Sequence, residues 1–144
     1  MFNFKQNEAF CLIKKGHNVY IGGQAWTGKT FLLQECVKNL RREGKIVYLT
    51  CTTVIACTNY PISIGAETIY RWSGIGDGRL TCNEICNFST TEINMKITYD
   101  KIKSADVLIV DEVSMLSKRL FEILESICSL KDPSNLFGGM QVIF

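Results

Sequence analysis

Only two of the 144 residues are proline, only His17 is histidine, and no apolar stretch approaches the length of a bilayer span. So little proline excludes a proline-rich extended chain, and 47% hydrophobic residues against 21% charged exclude a disordered one. What remains is one compact domain, long enough for a real core and too short for two tandem domains. The longest apolar runs, such as Val107 to Val110, have the length of buried strands. A charge excess is also missing: 16 basic residues face 14 acidic ones, so charge alone cannot hold nucleic acid, and any such role must rest on particular residues. Lys5 and Glu8 stand where a secretory signal would be apolar, which predicts an intracellular protein with no membrane partner.

No Cys-x-x-Cys pair occurs among the seven cysteines, an odd number scattered along the chain, so reduced thiols are expected. Cys82 and Cys86 stand one helical turn apart, but no second ligand pair accompanies them and His17 is remote, so they read as ordinary thiols.

The pattern of apolar residues alternates between two periods. Phe4 to Lys15 suits an amphipathic helix stopped by Gly16, and Val19 to Ile21 a short strand ended by Gly22-Gly23. From Lys29 a helical face of Leu33, Cys36, Val37 and Leu40 runs to a terminating Gly44. Lys45 to Thr50, Val107 to Val110 and Met140 to Phe144 read as further strands, and Leu116, Leu120, Ile123, Leu124 and Ile127 as a helical stripe. Strands alternating with helices predict an α/β domain, a parallel sheet with helices on both faces. Arg79 to Ile102 carries no clear pattern, and nothing in the sequence sets an oligomeric state.

Gly23-Gln24-Ala25-Trp26-Thr27-Gly28-Lys29-Thr30 satisfies G-x-x-x-x-G-K-[ST] between a predicted strand and a predicted helix, the context a phosphate-binding loop requires. Such a loop lets successive backbone N–H groups, with a helix N-terminus, surround phosphates. Lys29 is then placed for the β- and γ-phosphates of ATP and Thr30 for magnesium. Asp111-Glu112 closes the apolar strand where a nucleotide hydrolase carries its acids: Asp111 to hold Mg2+ through water, Glu112 to take a proton from the attacking water.

These residues resemble the PIF-type ATP-dependent DNA helicases of superfamily one, over about Asn3 to Phe144. The resemblance implies a P-loop NTPase of RecA-like fold in which Gln6 of Phe2-Asn3-Phe4-Lys5-Gln6 reads adenine, and Gly23, Ala25, Thr27, Gly28, Lys29 and Thr30 bind the nucleotide. Thr50-Cys51-Thr52-Thr53-Val54-Ile55-Ala56 is similar to the family's motif Ia, and Gly65-Ala66-Glu67-Thr68-Ile69-Tyr70 with Ser73 to Gly76 to the next segment. Both imply contact with single-stranded DNA or DNA junctions, at Thr52, Thr53, Thr68 and Tyr70; Tyr70 and Trp72 are also candidates to stack on bases, and Arg71 and Arg79 to meet phosphates. Leu108 to Leu116 resembles the family's magnesium and water site, and Phe137 to Val142 the lead into its next motif. The family implies roles in DNA repair, recombination and telomere maintenance, in the nucleus or mitochondrion of a eukaryote or otherwise the cytoplasm.

The sequence departs from the family at Trp26, where glycine is usual and a bulky side chain crowds the nucleotide, and at Tyr70, where histidine is usual. It stops at Phe144, before the family's γ-phosphate-sensing glutamine and its second motor domain. Residues 1–144 therefore read as one incomplete motor domain, expected neither to unwind duplex DNA nor to turn over ATP vigorously alone. The alternatives are a truncated, non-catalytic nucleotide-binding or interaction module and a small P-loop kinase.

Overall fold

The computed structural model describes residues 2–22, 28–75 and 93–144. Helices α1 (Phe4–Lys14), α2 (Lys29–Arg42), α3 (Val54–Cys57), α4 (Ile69–Ser73), α5 (Ile93–Ser104) and α6 (Lys118–Cys128) surround strands β1 (Val47–Cys51), β2 (Glu67–Thr68), β3 (Val107–Asp111) and β4 (Gln141–Ile143). The strands lie in the order β2-β1-β3-β4, every pair parallel. Parallel strands need crossovers that place helices on the sheet's faces, and the side chains show two such layers. Val107 and Ile109 of β3 join Val47, Leu49 and Cys51 in a core with Leu33, Cys36 and Val37 of α2. Leu108 and Val110 point the other way, into a core with Trp72, Ile102, Leu124 and Ile127. The α/β parallel sheet covered on both faces is as the sequence predicts.

Several boundaries differ from the sequence pattern. Val19 to Ile21 is not a full strand: Val19 bridges Ile143 on the free edge of β4, and only the N–H groups of Val19 and Ile21 and the Val19 carbonyl join that ladder. β1 starts at Val47 rather than Lys45, because the Lys45 N–H closes the end of α2 on the Leu40 carbonyl and the Ile46 N–H donates to the Asp106 carboxylate at 2.8 Å. Leu116 lies outside α6, which is started by the Ser117 hydroxyl accepting from the Leu120 N–H at 3.2 Å. β2 carries no strand signal, since two residues cannot show a period, and α5 fills part of the segment without clear pattern.

Gln141 fixes α1 to the sheet: its amide donates to the Ile13 carbonyl at 2.9 Å and the His17 carbonyl at 2.8 Å. That attachment places the chain's first residues beside the start of α2.

Candidate functional site

α2 begins at Lys29, and the residue before it, Gly28, has φ +80°. That backbone conformation favours glycine, and an added Cβ would in addition displace the Gln6 amide. Gly23, Ala25 and Thr27, with Trp26, lie outside the described residues, as do Arg79, Cys82 and Cys86.

In a parallel sheet, ligands gather beyond the carboxyl ends of the strands, and the candidate residues converge there. Register sets Cys51 beside Asp111 and Thr68 beside Cys51, so β1, β2 and β3 end on one row. The Lys29 Nζ lies 3.3 Å from Asp111 Oδ1, with 15% and 8% of the two side chains exposed. A pair so far out of water is held by mutual attraction at a considerable desolvation cost. The second oxygen, Oδ2, accepts a 2.7 Å hydrogen bond from the Tyr60 hydroxyl. Burial, then the charge of Asp111 and that hydrogen bond, push the phenol up, so it stays protonated as a donor. Thr30 lies on the same cavity wall as Asp111.

A cavity of about 300 Å³ opens here, lined by Lys29, Thr30, Asn59, Asp111, Glu112 and Ser114 among others. A second, of about 270 Å³, adjoins it at Ile21, Gly22 and Lys29 and is lined further by Asn3, Gln6 and Leu32. Lys29 thus faces both. Gln6 is present at the second, but its amide is engaged: it accepts from the Asn3 N–H at 2.9 Å and donates to the Gly28 carbonyl at 3.2 Å. Asn3 returns the favour by accepting from the Gln6 N–H, a capping box legible as Asn3-x-x-Gln6 in the sequence.

Glu112 adopts φ 60°, ψ 45°, a left-handed conformation uncommon for a residue with a side chain. Its carbonyl accepts from the Thr52 hydroxyl at 3.2 Å. That turn sets Glu112 and Ser114 on the cavity wall.

The candidates Thr52, Thr53 and Thr68 occupy the same edge with their hydroxyls in use. Thr52 is 5% exposed. Thr53 caps α3 by accepting from the Ala56 N–H at 3.1 Å, and Thr68 caps α4 by accepting from Arg71 at 3.3 Å. Tyr70 is half-buried against the second core, and Arg71 is exposed. Trp72 corrects the expectation of base stacking: it is fully buried, its ring 5.6 Å from that of Tyr48, because α4 turns it into the sheet. The sequence pattern singles out neither Tyr60 nor Asn59, and Ser114 only as part of the segment Leu108 to Leu116. Tyr60 and Asn59 belong to no local motif, and Tyr60 is 51 residues from Asp111.

Among the described residues no cluster of three or more His, Cys, Asp or Glu forms a metal site, and no helix is long and apolar enough to cross a membrane. The donors that do converge, a hydroxyl and a carboxylate, are oxygens suited to magnesium.

The family model of the PIF1-like helicases matches residues 1–144. The chain belongs to the PIF1-like helicase family. Similar to it are the ATP-dependent DNA helicase Pif1 of Psychrobacter sp. (34% identical, covering 96% of this chain and 20% of the relative) and the ATP-dependent DNA helicase RRM3 of Saccharomyces cerevisiae (32%, covering 92% and 18%). Among solved structures, Pif1 helicase from Candida albicans superposes with a TM-score of 0.86 at 28% identity, over 99% of this chain and 32% of that one. This PIF1-like chain therefore spans about a fifth of the length of those curated relatives. Its RecA-like fold is the one those structures share, and the small-kinase reading falls with the family match.

Proposed function

We propose that residues 1–144 form a single, incomplete motor domain that binds ATP with magnesium, and that in a longer PIF1-like protein this domain couples ATP hydrolysis to unwinding of DNA inside the cell. The observation that carries the reading is the convergence of Lys29, Thr30 and Asp111 on one cavity at the carboxyl edge of the sheet.

Thr30 and Asp111 are the residues that would hold magnesium, Asp111 through water. When bound, magnesium neutralises charge on the β- and γ-phosphates. Lys29 leaves Asp111 for those phosphates, a move the pair's position at the cavity wall permits. Gly23, Ala25, Thr27 and Gly28 are the loop positions that would bind the phosphates, and Gln6 exchanges its capping partners for the adenine edge in the adjoining cavity. Glu112, on the wall of the phosphate cavity, accepts the proton of the attacking water. Single-stranded DNA runs along the Thr52, Thr53, Thr68 and Tyr70 strip. With the threonine hydroxyls engaged, that contact falls to backbone N–H groups and the exposed part of Tyr70.

Isothermal titration of the 144-residue chain with ATP and magnesium tests the reading. Measurable binding that Lys29→Ala removes supports it; equal affinity of the two proteins would make the loop a structural element only. An ATPase assay with Glu112→Gln as its control, with and without single-stranded DNA, separates a turning-over motor from a module that only binds.

A further inference from the structure

Tyr60 sits in the turn that follows α3, its N–H bonded to the Cys57 carbonyl, and is 6% exposed. Its ring packs in the core with Ala56 and Ile64, a place phenylalanine would fill equally well. The hydroxyl is what packing does not explain. It donates to Asp111 Oδ2 while Lys29 holds Oδ1, so the two oxygens of one carboxylate have different partners.

We propose that Tyr60 is a positioning residue of the metal–nucleotide site, holding Asp111 in the orientation that receives magnesium. The proposal rests on the nucleotide reading above. Its physical basis is the difference between the carboxylate's two partners. Lys29 neutralises Asp111 and can be drawn off by phosphate, whereas Tyr60 is uncharged and buried and remains. When the lysine leaves, Oδ1 is freed with its negative charge intact, and Oδ2 stays tied so that the carboxylate cannot rotate. A neutral donor thus fixes orientation without cancelling the attraction for a cation, the role that outer hydrogen-bond partners play at metal sites. Without the hydroxyl, Oδ2 would lack this donor in a site 8% exposed, and the carboxylate would turn to find another.

The test compares binding of a fluorescent ATP analogue to the 144-residue chain with magnesium and with EDTA; the ratio of the two dissociation constants measures the coupling of metal to nucleotide. Tyr60→Phe is expected to reduce that ratio about tenfold or more while metal-free affinity stays within about twofold. A merely structural role would weaken both affinities together. A ratio equal to that of the wild type overturns the proposal, and a larger one does so as well, by showing that the phenol competes with the metal. Should Tyr60→Phe fail to fold, the wild-type chain carrying 3-fluorotyrosine provides a second readout. The Tyr60 fluorine signal is assigned by elimination, with phenylalanine at Tyr20, Tyr48, Tyr70 and Tyr99 in turn. It is expected to shift when magnesium joins the bound nucleotide, and an unmoved signal overturns the assignment. A wild-type chain that binds no nucleotide overturns this proposal and the nucleotide reading together; wild-type coupling retained in the variant overturns the Tyr60 assignment alone.

Discussion

The carboxyl edge of the sheet carries two sets of hydroxyls and polar side chains that differ in how they are used. Around the start of α2, Lys29 and Tyr60 each bond to Asp111 through side chains, and the cavity that Lys29, Thr30 and Asp111 line is open to a ligand. Around the starts of α3 and α4, Thr53 and Thr68 bond to backbone N–H groups of their own helices, and Thr52 to a backbone carbonyl. Side chains bonded to one another can exchange partners when a ligand enters, whereas a cap that leaves its helix unravels the first turn. The same residue type therefore lines an open cavity on one side, the site proposed for magnesium, and builds the platform on the other.

The largest test of that difference is Lys29→Ala, expected to weaken ATP binding about 100-fold, or about 2.8 kcal/mol, in titration calorimetry. Thr53→Ala in the same assay should change affinity by less than about twofold. A large loss in both would erase the distinction.

A smaller effect is expected at alkaline pH. Cys36, on the buried face of α2, is pushed from 9.0 up to about 12 by burial and then by the charge of Glu35. The unfolded thiol ionises first, so its contribution is fully kept below pH 9 and lost as pH rises towards 12. By pH 10 the loss approaches about 1.4 kcal/mol. Urea unfolding from pH 8 to 10 should show Cys36→Val, which lacks the thiol, falling less steeply than the wild type; parallel slopes would count against the buried thiol as the cause.

The smallest concerns the platform. Thr53→Ala and Thr68→Ala should each cost about 1 kcal/mol of stability, read as a lowered melting temperature. Single-stranded DNA affinity, measured well below that temperature, should change by less than about threefold if backbone groups make the contact. A loss of about tenfold without a change in melting would return the hydroxyls to the DNA.

Local pattern was enough for the elements whose signals are contained within themselves. The apolar face of α2 is visible in Leu33, Cys36, Val37 and Leu40, and the doubly buried β3 in an unbroken run ending at an acid. The glycine-lysine-threonine sequence at the start of α2 names the phosphate chemistry because backbone and side chain act within a few residues. Even the capping box of Asn3 and Gln6 is local, though the motif reading assigned Gln6 to adenine instead. β2 escaped notice because two residues have no period, and its strand exists only through pairing with β1. Trp72 shows the same limit from the other direction: aromatic chemistry suits it to bases, and only the packing of α4 shows that its ring is inside.

The partners of Asp111 mark the boundary most sharply. An acid at the end of an apolar strand follows from the chain's own pattern, since a strand buried on both faces can carry charge only where it emerges. The approach of Lys29 to Asp111 is implied by the two motifs, which the sequence assigns to one magnesium-nucleotide, but that Tyr60 takes the second oxygen of Asp111 follows from no pattern, because the two residues are 51 positions apart. Their meeting depends on register between parallel strands and on the turn after α3, both settled by burial of the two apolar layers. Side-chain periods act over one or two turns, and contacts across the sheet are decided when those layers close.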